Sequence, residues 1–149
     1  MISIEFENVP ADKSIKTLLQ KAAKTALPAI QVELSIVVCD DPFIHELNKQ
    51  YRNVDRPTDV LSFPSDETDP ESGFRYLGDI IISLPHAIAQ ASEAGHPLAD
   101  ELSMLAIHGV LHLLGFDHTT DVEKKEMWAK QESCLKSLGI TMDKFSGDE

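Results

Sequence analysis

The chain has 149 residues, of which 42% are hydrophobic and 26% charged, and its 13 basic and 25 acidic side chains give a net charge of −12 at pH 7. This length and composition predict one globular domain spanning residues 1–149. The negative charge argues against binding to duplex DNA or to an anionic membrane by bulk attraction, so neither DNA nor a membrane is an expected partner.

The first residues and the cysteines indicate the compartment in which the protein works. The opening Met-Ile-Ser-Ile-Glu-Phe-Glu lacks the basic start and apolar core of a signal peptide. No apolar run reaches the roughly 18 residues that span a bilayer. Cys39 and Cys134 are too few for a disulfide framework and fit a reducing compartment. We therefore expect a cytoplasmic protein.

The first third of the chain predicts two strands and two helices. Apolar residues alternate with polar ones at 2–6 and again at 32–38, which is typical of strands with one buried face. Between them, residues 15–26 follow helical spacing. Asp41 and Pro42 form a helix cap followed by a first-turn proline, so a short helix is expected to begin there.

The middle of the chain predicts a hairpin. Residues 59–63 and 76–83 have the composition of a third and a fourth strand. The acidic, turn-rich stretch between them, 64–73, is interpreted as a mobile loop.

Three helices are predicted after the hairpin. The first covers about 85–94, and the second covers about 97–114 and is apolar nearly all round, which indicates a place in the middle of the fold. Thr120 and Glu123 have capping-box spacing and begin a last helix that ends near residue 138.

This order of elements predicts an α+β fold. A layer of helices is expected to pack on a small mixed sheet of about four strands. The apolar helix over 97–114 is expected to be central, buried and metal-binding.

Three histidines at the end of that central helix are the strongest functional signal. His108, His112 and His118 have the spacing H-x3-H-x5-H. The first two lie one turn apart on a helix, and Gly115 can adopt the left-handed conformation that turns the chain back. Burying unpaired imidazoles costs about 1–3 kcal/mol each, so a shared metal ion explains them better than separate core positions. Three imidazoles and a water form an open site of catalytic type, and zinc is the expected ion.

The same spacing occurs in zinc proteases of the pattern H-E-x-x-H-x-x-G-x-x-H. Those enzymes use the glutamate after the first histidine as general base. This chain has Gly109 at that position, so a peptidase or amidase is not expected.

Lys49, Arg52 and Arg56 form the densest basic group near apolar and aromatic residues. Because the chain is acidic overall, any nucleic-acid contact is expected to be local. Lys49 and Arg56 are candidate RNA-binding residues on this ground.

Arg52 has two interpretations that the residues alone leave open. A guanidinium is a planar, permanently charged partner for phosphate. If Tyr51 anchors its helix in the core, Arg52 points elsewhere and can reach a cleft over the metal. Alternatively, Arg52 forms a structural ion pair with Asp55 or Asp59.

Three segments carry a resemblance to a known family. Residues 48–63, 77–80 and 108–118 resemble, in sequence and in order, the YbeY family of rRNA maturation endoribonucleases. The likeness covers almost the whole chain.

The resemblance implies a single α+β domain that binds one zinc ion through His108, His112 and His118. It implies cleavage of single-stranded RNA in 16S rRNA 3′-end maturation and ribosome quality control, with the small ribosomal subunit and its proteins as partners. Arg52 falls at the family's arginine that is thought necessary for activity.

No general base is evident among the acidic residues near the predicted site. Asp117 has a position from which it could orient a histidine ligand, although a role as a turn or capping residue is favoured over this one. Asp59 and Asp79 lie near strand ends and could reach a cleft, or cap and pair instead.

The other polar and aromatic candidates are expected to be structural. Phe116 is interpreted as hydrophobic filler rather than a base-stacking residue. The remaining histidines have no partner at ligand spacing and are predicted to lie at the surface or in caps; they are His45, His86 and His96.

Overall fold

The computed structural model describes residues 1–28, 31–117 and 119–141, which form four strands and five helices. In chain order these are β1 (Ile2–Glu7), α1 (Lys13–Ala26), β2 (Val32–Cys39), α2 (Asp41–Arg52), β3 (Val60–Thr68), β4 (Arg75–Ser83), α3 (Leu84–Ala94), α4 (Leu98–Leu113) and α5 (Asp121–Ser137). Each predicted strand and helix is present, with the differences in bounds given below.

The four strands form one mixed sheet in the order β1-β2-β4-β3. Strand β2 runs parallel to β1 on one side and to β4 on the other, whereas β3 and β4 are antiparallel. The crossover from β1 to β2 is made by α1, since parallel neighbours need a long connection. The predicted small mixed sheet is confirmed.

The two faces of the sheet carry hydrophobic clusters of very different size. In β4, Ile80 and Ile82 belong to the large cluster and Ile81 to the small one, because successive side chains point to opposite faces. Residues of α1, α3, α4 and α5 fill the large cluster, which is the predicted layer of helices. Helix α2 covers the other face through Ile44 and the small cluster. Burial on both sides explains why the three consecutive residues Ile80, Ile81 and Ile82 of β4 are all apolar.

Helix α4 is the centre of the large cluster, as its composition predicts. Every residue from 101 to 111 is buried, and the helix packs against α1, α3, α5 and both strands of the hairpin. Its closest approach to the sheet is at Gly109, where an added Cβ would lie 2.7 Å from Cγ2 of Ile80. The missing side chain therefore lets the helix touch β4.

The prediction of a loop over residues 64–73 is wrong in its first half. Strand β3 continues to Thr68, after a register shift between Pro64 and Glu67. The polar side chains of this extension gave no strand signal, but pairing with the backbone of β4 forms the strand. The register shift also accommodates Pro64, which cannot donate a ladder hydrogen bond.

Helix α2 begins one residue earlier than predicted. Its cap is Asp40, whose Oδ1 accepts a hydrogen bond of 3.1 Å from the backbone N–H of Phe43. Asp41 is already helical, and Pro42 lies in the first turn as expected.

Within the described residues, no helix combines the length and the apolarity that crossing a bilayer requires.

Candidate active site

Two imidazoles of the central helix face each other at close range. His108 and His112 lie one turn apart on α4, and their Nε2 atoms are 3.0 Å apart. Their rings meet edge to face, with centroids separated by 4.5 Å. His108 is buried and His112 is half-buried, so the pair lies at the inner end of an opening in the surface.

A buried glutamine fixes the inner imidazole. Nδ1 of His108 and Oε1 of Gln131 on α5 are 2.6 Å apart, and both residues are 2% exposed. Because the amide oxygen can only accept, Nδ1 carries the proton in this bond and Nε2 keeps its lone pair. The lone pair therefore faces His112.

Sequence reasoning missed Gln131, although a signal was present. The buried residues of α5 are otherwise apolar and recur at helical spacing through Met127, Cys134 and Leu135. Gln131 occupies the same face four residues after Met127. A polar residue among the buried residues of a helix needs a hydrogen-bond partner. The two predicted imidazoles of the central helix were the candidates for that partner.

The chain turns back directly after the second imidazole. Gly115 has φ of 99°, in the left-handed region, and its N–H donates to the carbonyl oxygen of His112 at 3.0 Å. The N–H of Phe116 donates to the carbonyl oxygen of Leu111, also at 3.0 Å. This is the turn that the glycine predicts. His118 lies outside the described residues, so its role as third ligand stays a prediction.

The two imidazoles fit one metal ion. Two ligand nitrogens at about 2.0–2.1 Å from a tetrahedral zinc ion are about 3.3 Å apart, close to the 3.0 Å between the two Nε2 atoms. The bond from Gln131 supplies the second-nitrogen contact that metal-binding imidazoles usually have. Within residues 1–28, 31–117 and 119–141, no third His, Cys, Asp or Glu completes a metal-binding group.

A cavity of about 480 Å3 opens beside His112. It is bounded by the end of α2, the start of β3, the end of α4 and the turn that follows. Its lining residues are Arg52, Val60, Ser62, Pro64, His112, Gly115, Phe116 and Asp117. The fold thus brings Arg52, distant in sequence, to the same cavity as a histidine of the predicted metal site.

Arg52 is held at the cavity by β3 rather than by an acid. One guanidinium N–H donates to the carbonyl oxygen of Ser62, and the guanidinium carbon lies 5.4 Å from the centroid of the Phe63 ring. The two acids that the sequence offers as ion-pair partners have other contacts. Asp55 lies 2.7 Å from Nε2 of His45, and Asp59 is fully buried and accepts from the N–H of Val60 at 2.8 Å.

The turn after α2 determines where Arg52 lies. Asn53 ends the helix in the left-handed conformation, with φ of 58°. Asn48 is buried, and its Nδ2 donates to the carbonyl oxygen of Arg56 at 2.9 Å. The N–H of Val54 donates to the carbonyl oxygen of Asn48 at 3.2 Å. These bonds fold the chain back and leave Arg52 at the last helical position.

The other two basic candidates lie outside the cavity lining. Lys49 and Arg56 are both exposed. The hydrogen bond from His45 and, next, the charge of Lys49 lower the pKa of Asp55, which locates Lys49 near that carboxylate. The structure therefore groups Arg52 with the histidines and leaves Lys49 and Arg56 on the adjoining surface.

Tyr51 does not anchor its helix in the core, contrary to the condition set out above. Its side chain is 60% exposed and meets Phe63 edge to face, with ring centroids 5.5 Å apart. Leu47 is the last residue of α2 in the small cluster, and Tyr51, one turn later, contacts Phe63 at the edge of that cluster.

The acidic candidates divide between the cavity and the fold. Asp117 lines the cavity. Asp79 accepts a hydrogen bond from the Tyr76 hydroxyl, and burial together with that bond raises the pKa of Tyr76 to about 12. Asp59 is buried at the start of β3. Asp59 and Asp79 thus accept hydrogen bonds from nearby residues, and neither belongs to the lining of the cavity.

The other histidines each contact a carboxylate. His45 contacts Asp55 as described, and Nδ1 of His86 lies 2.8 Å from Oδ1 of Asp41. His96 departs from the predicted surface or capping role, because Nε2 lies 2.5 Å from a carboxylate oxygen of the fully buried Glu101. Glu101 lies in the first turn of α4 and is the first buried residue of that helix, and its carboxylate is the partner of His96.

Phe116 packs against the large cluster and is half-buried, which supports its interpretation as filler. It also forms part of the cavity wall.

Comparison with known proteins agrees with these features. A family model described as Endoribonuclease YbeY matches residues 2–139. Two curated relatives bear the name endoribonuclease YbeY. The Brevibacillus brevis protein is 43% identical over 158 aligned positions, covering 95% of this chain and 99% of its own. The Pelotomaculum thermopropionicum protein is 47% identical over 140 aligned positions, covering 89% of this chain and 92% of its own.

A solved structure shares the fold. The solution structure of a Thermotoga maritima protein superposes with a TM-score of 0.61 at 31% sequence identity, covering 93% of this chain and 89% of that one. With a family model that spans nearly all of the sequence, these matches show that the chain belongs to the YbeY family.

Proposed function

We propose that this chain is a metal-dependent endoribonuclease that hydrolyses phosphodiester bonds in single-stranded regions of rRNA precursors. One observation carries the proposal: Arg52 and His112 line the same cavity, and the Nε2 atoms of His112 and His108 lie 3.0 Å apart. A fixed cation beside a pair of imidazoles suits phosphate chemistry. The names of the relatives support the same activity.

The proposed metal is one zinc ion, held by His108, His112 and, by its spacing, His118. Zinc supplies a Lewis acid for a phosphoryl oxygen and lowers the pKa of water to about 7. The contribution of the chain is to set the ligands in advance. Gln131 holds the His108 ring with Nε2 toward Nε2 of His112, so no rearrangement of that ring is needed on binding.

Arg52 is the proposed phosphate-binding group and the proposed catalytic residue. One of its N–H groups donates to the Ser62 carbonyl oxygen, and its guanidinium carbon lies over the Phe63 ring, 5.4 Å from the centroid. The other N–H groups can donate to phosphate oxygens and stabilise charge that develops there during hydrolysis. Lys49 and Arg56 are proposed to contact the RNA backbone on either side, because both are exposed on the adjoining surface.

The acidic surface supports a ribosomal context. A net charge of −12 repels free RNA beyond the local cations, whereas basic proteins of the small ribosomal subunit are attracted to it. We propose 16S rRNA 3′-end maturation and ribosome quality control as the settings in which the enzyme meets its substrate.

The test combines metal analysis with RNA cleavage in the wild type and in His112→Ala. The variant is expected to lose zinc and cleavage together, because one of two facing ligands is gone. Treatment of the wild type with a chelator should abolish cleavage, and added zinc should restore it. Cleavage that persists after metal removal would contradict the proposal and point to a contaminating nuclease.

A second candidate is a ribosome-assembly factor whose zinc is structural and whose nuclease activity is minor. The net charge favours it, since docking to basic ribosomal proteins needs no catalysis. Binding of His112→Ala to small-subunit particles, with normal particle maturation despite absent cleavage, would support this function over the enzyme.

A further inference from the structure

An exposed tyrosine stands beside the cavity without a packing role that accounts for it. Tyr51 is 60% exposed at the end of α2. Its one aromatic neighbour in the described part of the chain, Phe63, meets it edge to face at an interplanar angle of 69°. An aromatic ring has two faces, and a single neighbour of this kind covers at most one of them. At 60% exposure, much of the ring surface that Phe63 does not cover is open to solvent.

The same phenylalanine connects Tyr51 to the cavity. The guanidinium carbon of Arg52 lies 5.4 Å from the Phe63 centroid, and the Tyr51 centroid lies 5.5 Å from it. Ser62 and Pro64, the chain neighbours of Phe63, both line the cavity. The exposed Tyr51 ring and the proposed phosphate-binding guanidinium of Arg52 thus both contact the Phe63 ring. A base and a neighbouring phosphate of one RNA strand could therefore reach the two side chains at the same time.

We infer that Tyr51 forms a nucleobase-binding subsite, on which an unpaired base of the RNA stacks while an adjacent phosphate lies at Arg52. The inference rests on the proposed function and adds to it a contact to the base. Every base has a flat face, so the subsite is indifferent to sequence but requires an unstacked base. It therefore gives a physical basis for preferring single-stranded over duplex RNA.

The surrounding charges favour RNA over an apolar protein segment as the occupant. Lys49, Arg52 and Arg56 lie within five residues of Tyr51 in the chain and are all exposed, although the chain as a whole is acidic. A polyanionic strand neutralises these cations as the base covers the ring. An apolar segment would cover the ring and leave the cations desolvated without a partner.

The test measures binding of two fluorescently labelled probes to the full-length protein in the cold, where turnover is suppressed. One probe is a short unstructured oligoribonucleotide, and the other has the same sugar-phosphate chain without bases. Tyr51→Leu keeps the bulk of the side chain but removes the aromatic face, and Tyr51→Trp keeps such a face. Ile88→Ala, on the exposed face of α3, is the matched surface control.

We expect the wild type and Ile88→Ala to bind the normal probe about tenfold more tightly than the abasic one. Tyr51→Leu should lose that difference, because its affinity for the normal probe falls while its affinity for the abasic probe stays the same. Tyr51→Trp should keep the difference. If the wild type binds and cleaves RNA and Tyr51→Leu does the same, the subsite is disproved and the nuclease stands. Equal weakening of both probes also overturns it, because the effect is then not on a base. A wild type that neither binds nor cleaves RNA removes the proposed function and this inference together.

Discussion

At the scale of single residues, a buried amide decides which nitrogen of His108 faces His112. If Gln131 is replaced by leucine, Nδ1 loses its acceptor and the ring is free to flip or to change tautomer. We expect zinc affinity to fall by about 10–100-fold, as for other partners of metal-binding imidazoles. Competition with a chromophoric chelator measures this affinity, and nitrogen NMR of the metal-free protein reports the tautomer independently of activity.

Two further variants separate positioning from packing. Gln131→Glu keeps an acceptor for Nδ1–H and should restore most of the affinity. Cys134→Ala removes a buried side chain of α5 from the same face without touching His108, so it should lower stability and leave zinc affinity unchanged. Equal loss of affinity in Cys134→Ala and Gln131→Leu would show that only the packing of α5 matters.

Arg52 differs from a generic surface cation because its guanidinium is hydrogen-bonded to Ser62 and lies over the Phe63 ring. Arg52→Ala should lower kcat/KM for RNA cleavage by about 100-fold while zinc content stays at the wild-type level. Arg52→Lys keeps the positive charge but lacks the planar guanidinium, with its paired N–H donors and its contact with the Phe63 ring. It should therefore recover only part of the activity. Steady-state kinetics with metal analysis tests both variants. Arg75→Ala is the control, since Arg75 pairs with Asp66 at an exposed position and should leave the rate unchanged. Normal cleavage by Arg52→Ala would remove its catalytic role.

At the scale of elements, the contact of α4 with β4 depends on the absence of a side chain. Gly109→Ala would place a methyl group 2.7 Å from Cγ2 of Ile80. Overpacking of this kind lowers the free energy of unfolding by about 1–3 kcal/mol. The better helix propensity of alanine offsets up to about 1 kcal/mol of that loss. We expect a net loss in the free energy of unfolding, measured by denaturant titration. In the double variant with Ile80→Ala the clash is relieved, so the two losses should be less than additive. Additive losses would show that Gly109 is not limited by this contact.

The same contact explains why the chain keeps the histidine spacing of a protease without its glutamate. A side chain at position 109 would point into Ile80, not toward the cavity. The sequence shows that the base is absent, but only the packing shows that the position cannot hold one.

The elements that could be predicted from the sequence are those stabilised by a burial pattern that their own residues carry. Strand β2 and helix α4 were predictable, because one-sided and all-round burial leave periodic patterns in the residues themselves. The extension of β3 through Thr68 was not, since its stability comes from pairing with β4 rather than from its polar side chains. The bond from Gln131 to His108 joins residues 23 apart, and the exposure of Tyr51 depends on where the small cluster ends. Such contacts exist only once the helices are packed.

At the scale of the whole molecule, the distribution of charge limits how RNA can bind. The chain carries a net charge of −12, but three exposed cations, Lys49, Arg52 and Arg56, lie within five residues of Tyr51 in the sequence, and Arg52 lines the cavity. Each phosphate neutralised on a single strand contributes about −0.7 to the slope of log K against log salt concentration. Three contacts therefore predict a slope of about −2, measured by titrating a short unstructured oligoribonucleotide at a series of salt concentrations.

Single substitutions make this slope informative about each cation. Lys49→Ala and Arg56→Ala should each reduce its magnitude by about 0.7 and weaken binding of all sequences alike, because phosphate contacts carry no base information. Lys130→Ala on α5 is the matched control and should leave the slope unchanged. A slope near zero, or one that neither variant alters, would mean that the strand does not pass over this surface. Binding to ribosomal particles would then depend on protein contacts with the acidic remainder of the molecule.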